Sequence, residues 1–300
     1  MSSRHFLSLM DLNPNELKSI IHRAGELKQL QEEGAVHQPL TGITLAMIFG
    51  LKSTRTRVAF ETGMHQLGGH AIFLSPADSQ VGRGEPLKDM ARVLAKMADI
   101  VMIRTLKHDE IIDFAKSSSV PVINAMSARF HPCQLLADMQ TYEELRGPIE
   151  GRTVAFIGDG YNMCHSYMNA ARIFNFQLVV VCPEEFLPNT EILKSSIKNT
   201  IIEHDPHNAV ENADLVVTDV WASMGQESEH SDRKEKFMKY QVNSEIMSHT
   251  KDDALFMHCL PAHRGEEIDK DILEHSKSVI WDEAENRLHA QKALLEKLLV

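Results

Sequence analysis

The sequence predicts an α/β protein of two successive domains built on parallel sheets, and three observations carry that reading. Short apolar runs rich in β-branched residues alternate with amphipathic stretches through nearly the whole length. Continuous apolar strands separated by helical segments are the mark of parallel sheets covered on both faces. The chain has 300 residues, 43% of them hydrophobic, which favours two domains slightly over one. A turn-forming stretch, Gly147-Pro148-Ile149-Glu150-Gly151, lies near the midpoint and marks the junction.

The elements follow in order. Asn13-Pro14-Asn15-Glu16 supplies an N-cap, a proline at the first helical position and a carboxylate at the third. It opens a helix whose apolar spacing continues through Leu30. Residues 44–50 (TLAMIFG), 70–75 (HAIFLS), 99–105 (DIVMIRT) and 120–125 (VPVINA) read as the strands of the first half. A helix from Thr54 or Arg55 towards Leu67 ends at Gly68-Gly69, and another covers 131–146. In the second half the strands are 153–158 (TVAFIG), 177–182 (QLVVVC), 200–204 (TIIEH), 215–220 (LVVTDV), 254–260 (ALFMHCL) and 278–283 (SVIWDE).

Composition narrows the function. A formal net charge of −11 disfavours nucleic acid or an anionic membrane as the main partner. No apolar run reaches the ~18 residues of a membrane span, and the first residues, MSSRHFLSLMDL, lack the apolar core of a signal peptide. A soluble, cytoplasmic protein is expected. Cys133, Cys164, Cys182 and Cys259 are widely spaced and form no C-x-x-C pair, and the sixteen histidines show no H-E-x-x-H spacing. Neither a disulfide framework nor a metal site is expected.

Chemistry concentrates at strand ends. Lys52 to Arg57 (KSTRTR) gathers three cations and three hydroxyls where a buried strand gives way to a helix. The free N–H groups and macrodipole of a helix N-terminus attract an anion, Ser53, Thr54 and Thr56 add hydroxyl donors, and Arg55 and Arg57 can grip phosphate oxygens bidentately. A merely capped helix explains arginines in its first turn poorly, because they oppose the dipole. A bound phosphate dianion explains them well. The G-x-x-x-x-G-K-[ST] loop is absent, so no nucleotide is implied. Arg104 ends the strand DIVMIRT and His131 opens the next long helix, so both can converge on the same carboxyl end of a sheet.

In the second half, Gly158-x-Gly160 after a strand resembles the start of a dinucleotide-binding unit, although Met163 stands where a third glycine belongs. An NAD-dependent oxidoreductase is therefore an alternative from another class. TDVWASMGQE (218–227) offers Asp219, Ser223 and the flexible Met224-Gly225 backbone, and HCLPAHRGEE (258–267) places His258 and Cys259 at a strand end. Neighbours on a strand point to opposite faces, which argues against a His–Cys nucleophilic pair.

The motifs S-T-R-T-R (53–57), H-P-C-Q-L-L-A-D (131–138), D-V-W-A-S-M-G (219–225) and H-C-L-P-A-H-R-G-E-E (258–267), in that order, resemble those of the aspartate/ornithine carbamoyltransferase family, in its ornithine branch. E-A-E-N-R-L-H-A-Q-K-A (283–293) fits too, and the resemblance covers essentially the whole chain. It implies two doubly wound domains, each with a central parallel sheet flanked by helices, joined by interdomain helices. Residues 1–147 would bind carbamoyl phosphate, 148–283 would bind ornithine, and a C-terminal helix, 284–300, would pack back on the first domain.

The implied reaction is carbamoyl transfer from carbamoyl phosphate to the δ-amine of L-ornithine, in arginine metabolism, without metal or organic cofactor. Ser53, Thr54, Arg55, Thr56, Arg104, His131, Pro132, Cys133, Gln134, Cys259, Leu260 and Arg287 would hold carbamoyl phosphate, with Gln80 reaching in from a neighbouring subunit of a homotrimer. Asn162, Asp219, Ser223 and Met224 would hold ornithine, and Arg104, His131 and Cys259 would take part in catalysis. Another amine acceptor, such as putrescine or N-acetylornithine, and a non-catalytic relative that binds carbamoyl phosphate are the remaining alternatives. Three departures set the chain apart from the family's usual residues: Gly50-Leu51-Lys52 precede Ser53 where F-E-K-x is common, and Met90 and Tyr161 replace a threonine and an asparagine.

Overall fold

The computed structural model of the chain describes residues 4–76, 85–223 and 225–300. The expected contacts of Gln80 and Met224 lie outside them. The chain divides into two units, Met1–Gln140 with Glu285–Val300, and Thr141–Ala284.

The first unit contains α1 (Pro14–Glu32), β1 (Thr44–Phe49), α2 (Thr54–Gln66), β2 (His70–Leu74), α3 (Leu87–Leu94), β3 (Ile100–Arg104), α4 (His108–Ser117), β4 (Val122–Met126) and most of α5 (Pro132–Arg146). The expected capping box opens α1: Asn13 Oδ1 accepts from the Glu16 amide and Glu16 Oε2 from the Asn13 amide, both at 3.0 Å. Such a cap contributes about 1 kcal/mol. The four strands are all parallel, in the order β2-β1-β3-β4. Residues of β3 and β4 are buried throughout and those of β1 almost so, which is why their sequences read as unbroken apolar runs. Strand β2 departs from the expectation of sheets covered on both faces. It lies at the sheet's edge with His70 and Ile72 exposed, because among the described residues no strand pairs with its outer side.

The second unit continues with β5 (Thr153–Ile157), α6 (Asn162–Phe174), β6 (Gln177–Val181), α7 (Thr190–Ser196), β7 (Thr200–Glu203), α8 (Pro206–Val210), β8 (Leu215–Thr218), α9 (His230–Phe237), α10 (Ser244–Ser248) and β9 (Leu255–His258). The strands are again all parallel, ordered β7-β6-β5-β8-β9. Trp221, Phe237, Tyr240 and Phe256 anchor the core on one face. Both sheets are therefore flanked by helices and wound in two directions from an internal strand, as the doubly wound class requires.

The run SVIWDE does not form a strand. Only Ser278 makes a single parallel bridge, to Phe256, and α11 (Ile280–Leu299) begins two residues later. Asp282 and Glu283 lie in the first helical turn, where carboxylates suit the dipole. Glu283 Oε2 also accepts a hydrogen bond from the His258 amide at 2.9 Å, so the helix start closes off the end of β9. No helix among the described residues is long and apolar enough to cross a membrane.

Candidate active site

In each sheet the chain leaves an internal strand in opposite directions, and ligands in open α/β sheets bind at the carboxyl ends of strands beside such a switch point. In the first unit that place lies between β1 and β3, where Phe49 pairs in register with Arg104. The Gly50 amide donates to the Arg104 carbonyl at 2.8 Å, and a Cβ on residue 50 would stand 3.3 Å from that oxygen. Glycine there lets the chain turn from β1 into α2 hard against β3. Ser53 caps α2, its Oγ accepting from the Thr56 amide at 3.3 Å.

His131, immediately before α5, is buried, and so are Arg104 and Arg287. Burial first, then the guanidiniums of Arg287, Arg104 and Arg55, hold the His131 imidazole well below the ordinary histidine range. Its neighbours thus define a cationic cluster built from α2, β3 and α11. The Nε of Arg55 is buried and meets no acceptor among the described residues. Gathering three guanidiniums costs Coulomb energy that an anion bound among them would offset.

Not every expected group faces this cluster in the same way. Arg287 Nη2 donates to Thr56 Oγ1 at 2.9 Å and Nη1 to Gln134 Oε1 at 2.8 Å, while Gln134 Nε2 donates to Asp138 Oδ1 at 2.9 Å. Ser53 Oγ also donates to Thr56 Oγ1, at 3.0 Å. Thr56 and Gln134 therefore set the position of Arg287. Cys133 is fully buried with its thiol on the Asn124 carbonyl at 3.4 Å, and burial pushes that thiol up to about 12. Pro132, at the first position of α5, has no amide hydrogen to offer. Arg57 corrects the sequence reading: its Nε donates to Glu61 Oε1 at 2.9 Å and its guanidinium lies over the Phe73 ring, 3.9 Å from the centroid. Residues two apart on a helix do not share a face, so Arg55 and Arg57 cannot both reach one anion.

The depressed His131 value fixes a pH dependence. A histidine whose folded-state pKa lies below its unfolded value loses stability as pH falls, because the unfolded chain takes up a proton that the native state refuses. Asp159, raised to about 6 by burial, acts in the opposite sense over the same window. Thermal melts from pH 7.5 to 5.5 should therefore fall less steeply for His131→Asn than for the unaltered protein. Parallel slopes would contradict a neutral, buried His131.

In the second unit the switch point lies between β5 and β8, with Gly158 to Asn162 after the first and Asp219 after the second. Asp219 Oδ1 accepts from the Cys259 thiol at 3.2 Å and from the Val220 amide at 2.8 Å. Burial raises the Asp219 carboxyl, partly countered by His258 and by the Cys259 contact. The expectation that His258 and Cys259 diverge is not met. One ring nitrogen of His258, the Cys259 sulfur and an Asp219 oxygen lie within 4.8 Å of one another. Strand alternation ends at His258, and Leu260 then adopts a left-handed φ of 54°. That conformation costs a branched side chain about 1–2 kcal/mol. Asn162 starts α6 with its Oδ1 accepting from the Met163 amide, and the Ser223 amide donates to Gln226 Oε1, each at 2.9 Å.

Four residues with no role in the sequence reading support this arrangement. Glu267, fully buried, pairs with His258 Nε2 at 3.0 Å and accepts from the His263 amide at 2.6 Å. His258 Nδ1 accepts from the Leu260 amide at 2.9 Å, so the ring proton sits on Nε2, facing Glu267. Glu283 holds the His258 backbone. Arg233 Nη1 bridges Asp159 Oδ2 at 2.7 Å and the Trp221 carbonyl at 3.0 Å, tying Trp221 to the turn after β5. Only tertiary pairing reveals these roles, although the consecutive glutamates of RGEE and the aspartate of GDG were visible candidates.

Gly160 accounts for the G-x-G turn without a dinucleotide. Its amide donates to the Phe186 carbonyl at 3.0 Å, and a Cβ there would come within 2.4–2.6 Å of the backbone of residues 186–188. The glycine admits the chain's own backbone where a pyrophosphate would approach in a dinucleotide-binding turn.

Residues 4–144 match the family description "Aspartate/ornithine carbamoyltransferase, carbamoyl-P binding domain", and residues 150–298 match its "Asp/Orn binding domain". The chain is 56% identical over 299 residues to the ornithine carbamoyltransferase of Hydrogenovibrio crunogenus, covering 100% of this chain and 99% of that one. It is 57% identical to the anabolic ornithine carbamoyltransferase of Pseudomonas aeruginosa, with 100% and 98% covered. Among solved structures, the ornithine carbamoyltransferase of Pyrococcus furiosus is similar with a TM-score of 0.95 at 46% identity, covering 99% and 97% of the two chains. That of Burkholderia thailandensis gives 0.93 at 47%, with 99% of each covered. With both halves matched and relatives this similar along the full length, the chain belongs to the aspartate/ornithine carbamoyltransferase family.

Proposed function

We propose that the protein transfers the carbamoyl group of carbamoyl phosphate to the δ-amine of L-ornithine, giving L-citrulline and phosphate. The observation that carries this reading is the cluster of Arg55, Arg104 and Arg287 around a neutral His131 at a helix N-terminus. The names of the relatives given above, each an ornithine carbamoyltransferase, support the acceptor, and neither an oxidoreductase nor a non-catalytic binder is favoured.

Residues 1–147 would serve carbamoyl phosphate and 148–283 ornithine. Ser53, Thr54 and the α2 amides would take the phosphate with the arginines, whose fixed charge stabilises the leaving group. Neutral His131 can donate one N–H to the carbonyl oxygen as it gains negative charge, without bringing a further cation. Asp219 would receive ornithine's α-ammonium, with Asn162 and Ser223 at the same end, and the sulfur of Cys259 and the backbone of Leu260 would flank the reacting nitrogen. An alkylamine of pKa ~10.4 must first lose its proton. The neutral nitrogen then attacks the carbamoyl carbon, a C–N bond forms, the nitrogen sheds a proton, and the C–O bond to phosphate breaks with its electron pair leaving on phosphate.

A colorimetric citrulline assay with ornithine, putrescine, N-acetylornithine and aspartate as acceptors tests the reading. Ornithine should be preferred by at least tenfold in kcat/KM, and equal use of another acceptor would reject it. A cytoplasmic location and a trimer with shared sites belong to the same proposal. Mixing inactive Arg55→Gln and Gln80→Ala proteins under subunit exchange should restore activity, since each mixed ring holds one intact junction. No recovery after verified exchange would exclude sharing through Gln80.

A further inference from the structure

Besides the Asp219–His258–Cys259 group, the second unit brings two histidines and a carboxylate together. One nitrogen of His230, one of His263 and an oxygen of Glu266 lie within 4.8 Å of one another. His230 Nε2 stands 3.0 Å and His263 Nδ1 3.6 Å from the same oxygen, Glu266 Oε2. The ring planes meet at 64° with centroids 6.5 Å apart, so each can present a nitrogen without stacking on the other. The geometry points to a surface site for a divalent transition ion of the zinc class, held by two imidazoles and one carboxylate with the remaining positions open to water.

The distances suit that chemistry. Bonds of about 2.0–2.1 Å at tetrahedral angles hold ligand atoms about 3.3 Å apart, a value the two observed separations bracket. Imidazole with carboxylate favours zinc, nickel, cobalt or copper over calcium or magnesium, which prefer all-oxygen shells. The backbone beneath the ligands is fixed. The Glu266 amide donates to the His263 carbonyl at 2.9 Å, closing a turn, and Gln241 Nε2 donates to the Glu266 carbonyl at 2.8 Å. The His263 amide is held by buried Glu267 at 2.6 Å. His230 is supplied by the first residue of α9, so an ion would cross-link that helix to the turn after β9. Lys234 Nζ lies 3.2 Å from the other carboxylate oxygen, Glu266 Oε1. It leaves Oε2 to the ion while opposing the ion's charge, which holds the affinity down.

Cobalt(II) titration monitored by visible absorption and calorimetry tests the site. It is run on Cys259→Ser protein, so that the Asp219–His258–Cys259 group cannot compete through sulfur. The expected result is one ion per chain in the micromolar range, with no sulfur-to-metal charge-transfer band. His230→Ala and His263→Ala, both at half-exposed or exposed positions, should each weaken binding at least tenfold without shifting the melting temperature of the metal-free protein. Lys234→Met should tighten it severalfold. Affinity no better than millimolar, or affinity indifferent to both histidine substitutions, would overturn the proposal.

Discussion

Replacing Arg55 by glutamine is expected to lower kcat/KM for carbamoyl phosphate by roughly 10²–10³-fold, equivalent to about 2.7–4 kcal/mol of transition-state stabilisation. Arg55 lies in the first turn of α2, and its guanidinium is one of the three that act on His131. Glutamine keeps a donor and much of the length but removes the charge. Because the carbamoyl oxygen and the leaving phosphate both gain negative charge on the way to product, the loss should fall on kcat as well as KM. Steady-state kinetics of a variant that melts like the parent would decide the matter. A drop of less than tenfold would remove Arg55 from the proposed site.

Asp219→Asn should reduce kcat/KM for ornithine by about 10²-fold while leaving carbamoyl phosphate binding within a few-fold of its starting value. Burial raises the pKa of this carboxyl, so in the free protein its charge is held at a cost. An arriving ammonium would supply the missing counter-charge, and a charge-assisted hydrogen bond of that kind contributes about 1.5–3 kcal/mol. Asparagine preserves the acceptor for the Val220 amide, so the fold of the segment should survive. Calorimetry with each ligand separates the outcomes: equal weakening of both would contradict a distinct amino-acid subsite in the second unit.

What sequence could show depended on the kind of interaction. Strands such as TLAMIF and TVAFI were legible because burial on both faces leaves an unbroken apolar run. The run SVIWDE offers only a short apolar stretch, Val279-Ile280-Trp281, and it starts a helix in which Ile280 is buried and Trp281 exposed, a distinction that so few residues do not reveal. Its acidic pair, Asp282-Glu283, was the available clue. Arg55, Arg104 and His131 lay at predicted strand and helix ends, so their convergence followed from the rule for open sheets. Arg55 and Arg57 are neighbours along the chain but diverge around the helix, so Arg57 turns to Glu61 and Phe73 instead of the cluster. Glu267, Glu283, Asp159 and Arg233 stayed hidden because a buried ion pair between residues 74 positions apart, as in Asp159–Arg233, leaves no periodic trace.

The hydrogen bonds of Arg287 to Thr56 and Gln134 bear on biosynthesis. Ribosomes deliver chains from the N-terminus at about 5–20 residues per second, and domains generally fold as units during that delivery. The first unit is discontinuous and takes its last segment from residues 285–300. Its four strands emerge early, yet the buried places of Ala290, Ala293, Leu294 and Leu295 stay vacant until translation is nearly over. The unit encoded first is thus completed last. Through that interval a nascent chain must shield an open apolar seam, and the cationic cluster lacks Arg287 until the final helix arrives.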